Sequence, residues 1–203
     1  MPAEEIQAIS RGEEVFQRVG CAVCHIPELK IDNPIFSEPS QNPHYRDDIF
    51  PGGQDPVSQG VDPTHPIIFD LTHDQPDNQI KDSEGNIVFR LGALEWDRQG
   101  RAVVALFGDL KRHDMGAGLA EPIDEVGTGA SVFLTENLWG VGSTAPYLHD
   151  GRATTLTEAI LEHGGEAASS RADFLALSLE AEQDLLTFLN NMGLFKIEEE
   201  EEE

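Results

Sequence analysis

The sequence predicts a mainly α-helical domain that is interrupted by a long insertion of loops and one β-hairpin. Three observations support this class. Apolar residues recur at helical spacing near both ends of the chain, Pro, Asp, Asn and Gly dominate from Ile26 to Gln79, and a stretch with strand character follows. The 203 residues suit one domain. We place that domain at residues 1–197, with the insertion at about 31–108.

The first predicted helix covers residues 4–25. Its candidate core positions share one helical face, and they are Ile6, Ile9, Val15, Phe16 and Val19. Within the insertion, residues 87–91 and 101–107 have the β-branched and apolar content of strands. The polar residues 95–100 lie between them, so we expect the two strands to pair as a hairpin.

Helices return after residue 111. A short helix is predicted from Leu156, with Ala159, Ile160 and His163 on the same face, and Gly164-Gly165 ends it. Ser178 is the predicted N-cap of the last helix. That helix carries an apolar stripe made of Leu179, Leu185, Leu186, Leu189 and Met192.

The most informative stretch is the Cys-Ala-Val-Cys-His run at residues 21–25. Two thiols at this spacing can add to the two vinyl groups of a haem, and the next histidine then lies under the iron as proximal ligand. A disulfide, a thioredoxin-like redox site and half of a zinc site are the alternatives. The chain has no other cysteine for zinc, and no βαβ pattern is visible. The motif predicts one covalent haem c, held by Cys21 and Cys24 with His25 on the iron.

The second axial position decides what such an iron can do. A strong ligand gives a closed, low-spin electron carrier, whereas an empty position permits peroxide chemistry. His163 is our preferred distal ligand because it lies on the inward face with Leu156 and Ile160, although a helix C-terminus also favours an exposed histidine. Met115, in a polar loop, is the alternative ligand and would raise the reduction potential, but methionine is more often a packing residue.

Two further histidines, two aromatic residues and one arginine are candidates for roles around the predicted site. His113 and His149 are each followed by an aspartate that could orient the ring, so we interpret them as hydrogen-bonding residues. Trp139 and Tyr147 could pack on the haem, and Arg152 could neutralise a propionate. The alternative is a rigid Gly- and Pro-rich turn held by aromatic packing.

Charge limits the partners that the chain can have. The net charge is −25, and −19 without the run Glu198–Glu203, which we interpret as an acidic tail. Such a surface disfavours nucleic acid and favours a redox partner with a basic surface. No apolar run is long enough for a transmembrane helix. Met1–Glu5 lacks the features of a signal peptide. Because haem c is attached outside the cytoplasm, we expect a leader to have been removed and the protein to be periplasmic or otherwise extracytoplasmic.

Taken together, the motifs resemble the C-terminal haem domain of bacterial di-haem oxidoreductases, a family of peroxidase- or thiol-oxidoreductase-like proteins related to di-haem cytochrome c peroxidase and MauG. The resemblance covers residues 10–30 and 105–193. It rests on segments 20–25, 109–116, 138–140, 147–152, 155–160 and 163–167. It implies that the position before the double glycine, here His163, supplies the distal ligand.

The resemblance also implies two haems, one that stores an electron and one that meets peroxide, whereas this sequence has one attachment motif. We therefore expect a cytochrome c-like, mono-haem electron-transfer protein. The alternatives are a haem peroxidase or oxidoreductase, including one half of a split di-haem enzyme, and a subunit of a larger redox complex.

Overall fold

A computed structural model describes residues 1–46, 49, 52–73, 79–81, 84–90, 93–124 and 127–193. The chain divides into two compact units. One unit combines Met1–Glu28 with Ala105–Glu203, and the other is Leu29–Val104. Among the described helices, none has the length and apolar character needed to cross a membrane. The predicted acidic tail lies outside the described residues.

The first unit is built on helix α1 (Ala3–Arg18) and helix α4 (Leu179–Asn190), which pack against each other. Gly12 permits this close approach, since a Cβ atom there would lie 2.1 Å from the Asp184 carbonyl oxygen. Ser178 caps α4 as predicted, because its side chain accepts a hydrogen bond from Ala181 N. Helices α2 (Leu156–Glu162) and α3 (Ala168–Leu175) complete the helical part.

The buried apolar cluster of this unit draws on all four helices. Its members are Val15, Phe16, Val19, Leu156, Phe174, Leu185, Phe188 and Leu189. The helical spacing therefore found most of the core, but two predicted core positions are wrong. Ile6 is 52% exposed and Leu179 is 86% exposed, because each lies within the first turn of its helix, beyond the packed stretch.

The second unit consists of short antiparallel strands. Strand β1 (Leu29–Ile31) pairs with β7 (Ala102–Val104), and β7 also pairs with β6 (Glu95–Trp96). Strand β2 (Ile35–Glu38) pairs with β3 (Ile67–Asp70). Strand β4 (Gln79–Lys81) pairs with β5 (Ile87–Arg90). The first unit adds the pair β8 (Arg112–Asp114) and β9 (Val132–Leu134).

The predicted mainly α, cytochrome c-like fold class is therefore wrong. The described residues form four helices, only one of them longer than 12 residues, alongside several small antiparallel sheets. The physical reason is that strands of two to four residues are held by backbone hydrogen bonds and need no apolar alternation. Such strands occur at 29–31, 35–38 and 67–70, inside the segment predicted to be loop.

The predicted hairpin is also wrong in its pairing. Strands form at Ile87–Arg90 and Ala102–Val104, but they pair with β4 and with β1 and β6 instead of with each other. Leu91, at the end of the first predicted strand, lies outside the described residues. The connection that was predicted to be a polar loop itself contributes β6.

Candidate haem-binding site

The two cysteines lie on one tight turn that follows α1. Gly20 has a φ of +86°, which turns the chain out of the helix, and Cys21–Val23 then forms a single 3-10 turn. His25 N donates to the Cys21 carbonyl oxygen (2.9 Å), so the turn places the histidine directly after both thiols. Both cysteines are free. The predicted motif is thus presented as one compact unit with no disulfide across it.

The His25 ring has a fixed orientation. Its Nδ1–H donates to the Phe107 carbonyl oxygen (3.1 Å), since a carbonyl can only accept, and the backbone of Glu136 provides a second hydrogen bond to the ring. The ring centroid lies 6.5 Å from that of Phe16 in the apolar core. Burial lowers the pKa of His25, and the nearby His163 lowers it further. The result is a neutral imidazole, which is the form that binds iron.

The state of the thiols bears on the alternatives to haem. Burial raises the pKa of Cys21 to about 11. Burial also raises the pKa of Cys24, and the carboxylates of Asp109 and Glu166 add to the effect. Redox-active cysteines react as thiolates, so these environments disfavour a thioredoxin-like site. In the described part of the chain, no group of three or more His, Cys, Asp or Glu residues is arranged to hold a metal ion.

His163 lies at the end of α2, where its ring is fixed in the same way as that of His25. Its Nδ1–H donates to the Ala159 carbonyl oxygen (2.7 Å), which fixes the ring through that nitrogen. The helix begins with a capping box in which Thr155 and Glu158 bond each other's backbone. His163 lowers the pKa of the His25 ring electrostatically.

Met115, the alternative distal ligand, lies beside the same turn. Its backbone N donates to the Ser131 carbonyl oxygen (2.8 Å), and its own carbonyl oxygen would lie 2.8 Å from a Cβ atom at Gly164. The fold therefore places both candidates on adjoining segments. The choice between His163 and Met115 stays a prediction.

His113 does form hydrogen bonds, but its partners are not the aspartate that follows it. Its Nε2–H donates to Asp109 Oδ2 (2.9 Å) and its Nδ1–H donates to Glu166 Oε2 (2.8 Å). These two carboxylates, Glu166 first, raise the pKa of His113. Burial opposes ionisation of Asp109, yet the bond from His113 still holds its pKa at about 2. Both ring nitrogens of His113 are engaged, so neither is free for iron.

His149 also lacks the expected aspartate partner. Its ring stacks on Phe133 at a centroid distance of 4.5 Å, and its Nε2 lies 3.9 Å from Glu121 Oε1. Asp150 instead accepts a hydrogen bond from Arg152 Nε (2.6 Å).

The remaining predicted site residues are held by the protein itself. Arg152 also donates to the Gly118 carbonyl oxygen (2.7 Å), and its guanidinium lies 3.7 Å from Glu162. Tyr147 packs on the apolar cluster, and its hydroxyl donates to the Val141 carbonyl oxygen (2.9 Å). Trp139 is 50% exposed, and its indole N–H donates to the Ala105 carbonyl oxygen. Their roles toward a haem stay predictions, and these bonds favour the rigid-turn interpretation.

Sequence reasoning missed three groups at this site, namely the Phe107 carbonyl and the carboxylates of Asp109 and Glu166. The spacing of Asp109 and His113, four positions apart, was an available signal for an ion pair. Nothing local could indicate Glu166, which lies 53 positions from its partner His113.

The candidate donor set consists of two free thiols, the partly buried imidazole of His25 directly after them, and the imidazole of His163. A family model described as "Di-haem oxidoreductase, putative peroxidase" matches residues 98–192. The resemblance predicted from the sequence is thereby confirmed for this segment, and the family implies haem binding. The match does not extend to residues 21–25. No curated protein and no solved structure matches the chain.

Proposed function

We propose that this chain binds one haem c and transfers electrons. The observation that carries the proposal is the common arrangement of His25 and His163. Each ring donates its Nδ1–H to a main-chain carbonyl, and His163 lowers the pKa of His25. Two imidazoles oriented in this way suit the two axial positions of one iron.

Each residue of the proposed site has a separate task. Cys21 and Cys24 would hold the porphyrin through thioether bonds, and His25 would supply the proximal nitrogen. The haem iron, when bound, supplies the one-electron chemistry. The chain orients both imidazoles, burial favours the neutral form of His25, and the Phe16 side of the core shields His25 from water. With His163 as distal ligand, the reduction potential should be lower than with Met115.

Attachment of haem is tested first. Correctly matured protein should give the haemochrome band of a haem c in pyridine, and its mass should exceed that of the polypeptide by one haem. The unmodified polypeptide mass would end the proposal. A Cys21→Ala, Cys24→Ala double variant is the matched control, because it removes both tethers and keeps both histidines.

The distal ligand is tested by optical and electron paramagnetic resonance spectra of the ferric protein. We expect a low-spin wild type, a high-spin His163→Ala variant and an unchanged Met115→Ala variant. A high-spin Met115→Ala variant together with an unchanged His163→Ala variant would identify Met115 as the distal ligand. A high-spin wild type would contradict the closed electron carrier.

The second candidate is a haem peroxidase, or one half of a split di-haem enzyme. The family description supports it, whereas the sequence carries a single attachment motif. The two candidates differ in their response to peroxide. An electron carrier should keep its spectrum on addition of hydrogen peroxide, and a peroxidase should change its spectrum and oxidise added electron donors.

Charge and attachment chemistry support two further parts of the proposal. The net charge of −25 favours a redox partner with a basic surface, including a partner within a larger complex. Electron exchange with a basic protein should therefore slow steeply as salt is added, and a rate independent of salt would contradict this. Haem c maturation favours an extracytoplasmic location, which cell fractionation would test.

A further inference from the structure

A charged cluster fixes the turn that follows His163. Glu166 uses both carboxylate oxygens, since Oε2 accepts from His113 Nδ1 (2.8 Å) and Oε1 accepts from Asp114 N (3.0 Å). On its other side, His113 donates to Asp109, whose side chain is only 3% exposed. A second oxygen of Asp109 accepts from Lys111 N (2.9 Å). The cluster thus connects the turn after α2 to the segment 109–114.

Glycines bring the same two segments into close backbone contact. A Cβ atom at Gly165 would lie 2.0 Å from the Asp114 carbonyl oxygen, and one at Gly164 would lie 2.8 Å from that of Met115. A Cβ atom at Gly116 would lie 2.8 Å from Gly165 N. Side chains at these positions would push the segments apart, so the close packing requires glycine.

We propose that Asp109, His113 and Glu166 form a positioning clamp that holds His163 at the distal position by fixing the turn behind its ring. The inference rests on the proposed function, because it takes His163 as an iron ligand. None of the three clamp residues contacts the iron in this proposal. Each acts through the backbone next to His163.

Helix α2 alone restrains the His163 ring only weakly, so contacts to the turn after it affect how firmly the ring is held. His163 is the last residue before the two glycines, and its own helix provides only one bond to the ring, from Nδ1 to Ala159. The helix ends at Glu162, so helical hydrogen bonds of α2 do not extend over the turn that follows His163. Charge-assisted hydrogen bonds are stronger than neutral ones, and the clamp supplies two of them to one histidine. Without it, His163 could leave the iron more readily and the adjoining Met115 could compete.

The rate at which cyanide replaces the distal ligand in the haem-loaded full chain tests the clamp. Cyanide binds only when the distal ligand leaves, so the rate reports how firmly that ligand is held. We expect Glu166→Ala to raise this rate by at least about tenfold, since a hydrogen-bonded charge is lost. Glu166→Gln should lie between it and the wild type, because its amide oxygen can still accept from Asp114 N. Circular dichroism establishes whether each variant is folded. If Glu166→Ala does not fold, the cyanide rate of Glu166→Gln tests the clamp.

Glu121→Ala is the matched control. Glu121 also lies beside a histidine, His149, and its side chain is 45% exposed against 56% for Glu166, but it lies outside the clamp. We expect the wild-type cyanide rate for it. Rates within twofold of the wild type for both Glu166 variants, together with a high-spin His163→Ala protein, would overturn the clamp and leave the proposed function intact. An unchanged His163→Ala spectrum would overturn the proposed ligation, and the clamp with it.

Discussion

His25 and His163, the proposed proximal and distal ligands, both donate Nδ1–H to a main-chain carbonyl, but the protein supports them in different ways. The turn that carries His25 lies against the aromatic core, where Phe16, Phe107 and Phe188 pack with centroids 5.5 to 6.1 Å apart. The turn that follows His163 is held by close-packed glycines and a charged cluster. The proximal side therefore depends on global packing, and the distal side on local, specific contacts. Substitutions that disrupt the packing around His25 should unfold the protein. Substitutions that disrupt the contacts behind His163 should release this ligand while the protein stays folded.

The largest effect is expected from Gly12→Ala. The new Cβ atom would lie 2.1 Å from the Asp184 carbonyl oxygen and 2.6 Å from Phe188 Cβ, so α1 and α4 would have to separate. We expect a loss of about 3 kcal/mol or more in the free energy of unfolding, measured by urea denaturation. Gly118→Ala is the control, because no atom lies within 4 Å of the Cβ position there. Equal stability of the two variants would contradict the dependence of the His25 side on the packing of α1 against α4.

Gly165→Ala should have the next largest effect, and of a different kind. Its Cβ atom would meet the Asp114 carbonyl oxygen at 2.0 Å, and its φ of +52° is unfavourable for alanine. We expect a loss of about 2 kcal/mol in stability together with a high-spin ferric spectrum. Gly100→Ala, at a φ of +77° with free space around the Cβ position, separates backbone strain from collision. A Gly165→Ala protein that stays fully low-spin would argue against local control of the distal side.

Thr155→Ala should have a smaller effect on the helix that carries His163. The change removes the capping box at the start of α2, which costs about 1 kcal/mol. Urea denaturation measures the loss. Thr157→Ala, within the same helix, removes no cap and should be neutral or slightly stabilising. A loss as large for Thr157 as for Thr155 would show that the cap is not the cause.

The smallest effect is expected at Asp184, a buried carboxylate on α4 that faces Arg11 of α1. Two hydrogen bonds from Arg11 lower the pKa of Asp184. A carboxyl with a lowered pKa stabilises the fold above its unfolded value, about 3.9, and this contribution is lost as pH falls through the folded pKa. Asp184→Asn should therefore lower the urea midpoint at neutral pH, and the difference from wild type should vanish in acid.

The exposed Asp173→Asn variant is the control for Asp184→Asn, since it removes the same charge without an ion pair. Its urea midpoint should follow that of the wild type at every pH. A difference between wild type and Asp184→Asn that persists in acid would mean that packing, and not ionisation, is responsible.

Several parts of the fold and the site were predictable because they depend on residues close in sequence. Ser178 correctly predicted the N-cap of α4, and helical spacing correctly placed Leu185 and Leu189 in the core. The spacing of Cys21, Cys24 and His25 predicted that one short turn carries all three residues. In each case the relevant contacts lie within one or two helical turns of the chain.

Other parts were not predictable in this way. The pairing of β1 with β7 joins segments more than 70 residues apart, and three-residue strands carry too little pattern to reveal it. The fold class was wrong for this reason. The partner of His113 was expected next to it in sequence, yet the structure supplies Asp109 and Glu166.

The sequence by itself determined the thiol–histidine motif, the main helices and the acidic charge, because these depend on composition and on spacing along the backbone. Only the tertiary structure decided that the Phe107 carbonyl orients His25 and that the carboxylates of Asp109 and Glu166 hold His113. The reason is physical: hydrogen bonds and electrostatic forces act through space over a few ångströms, and chain folding alone determines which distant residues come that close.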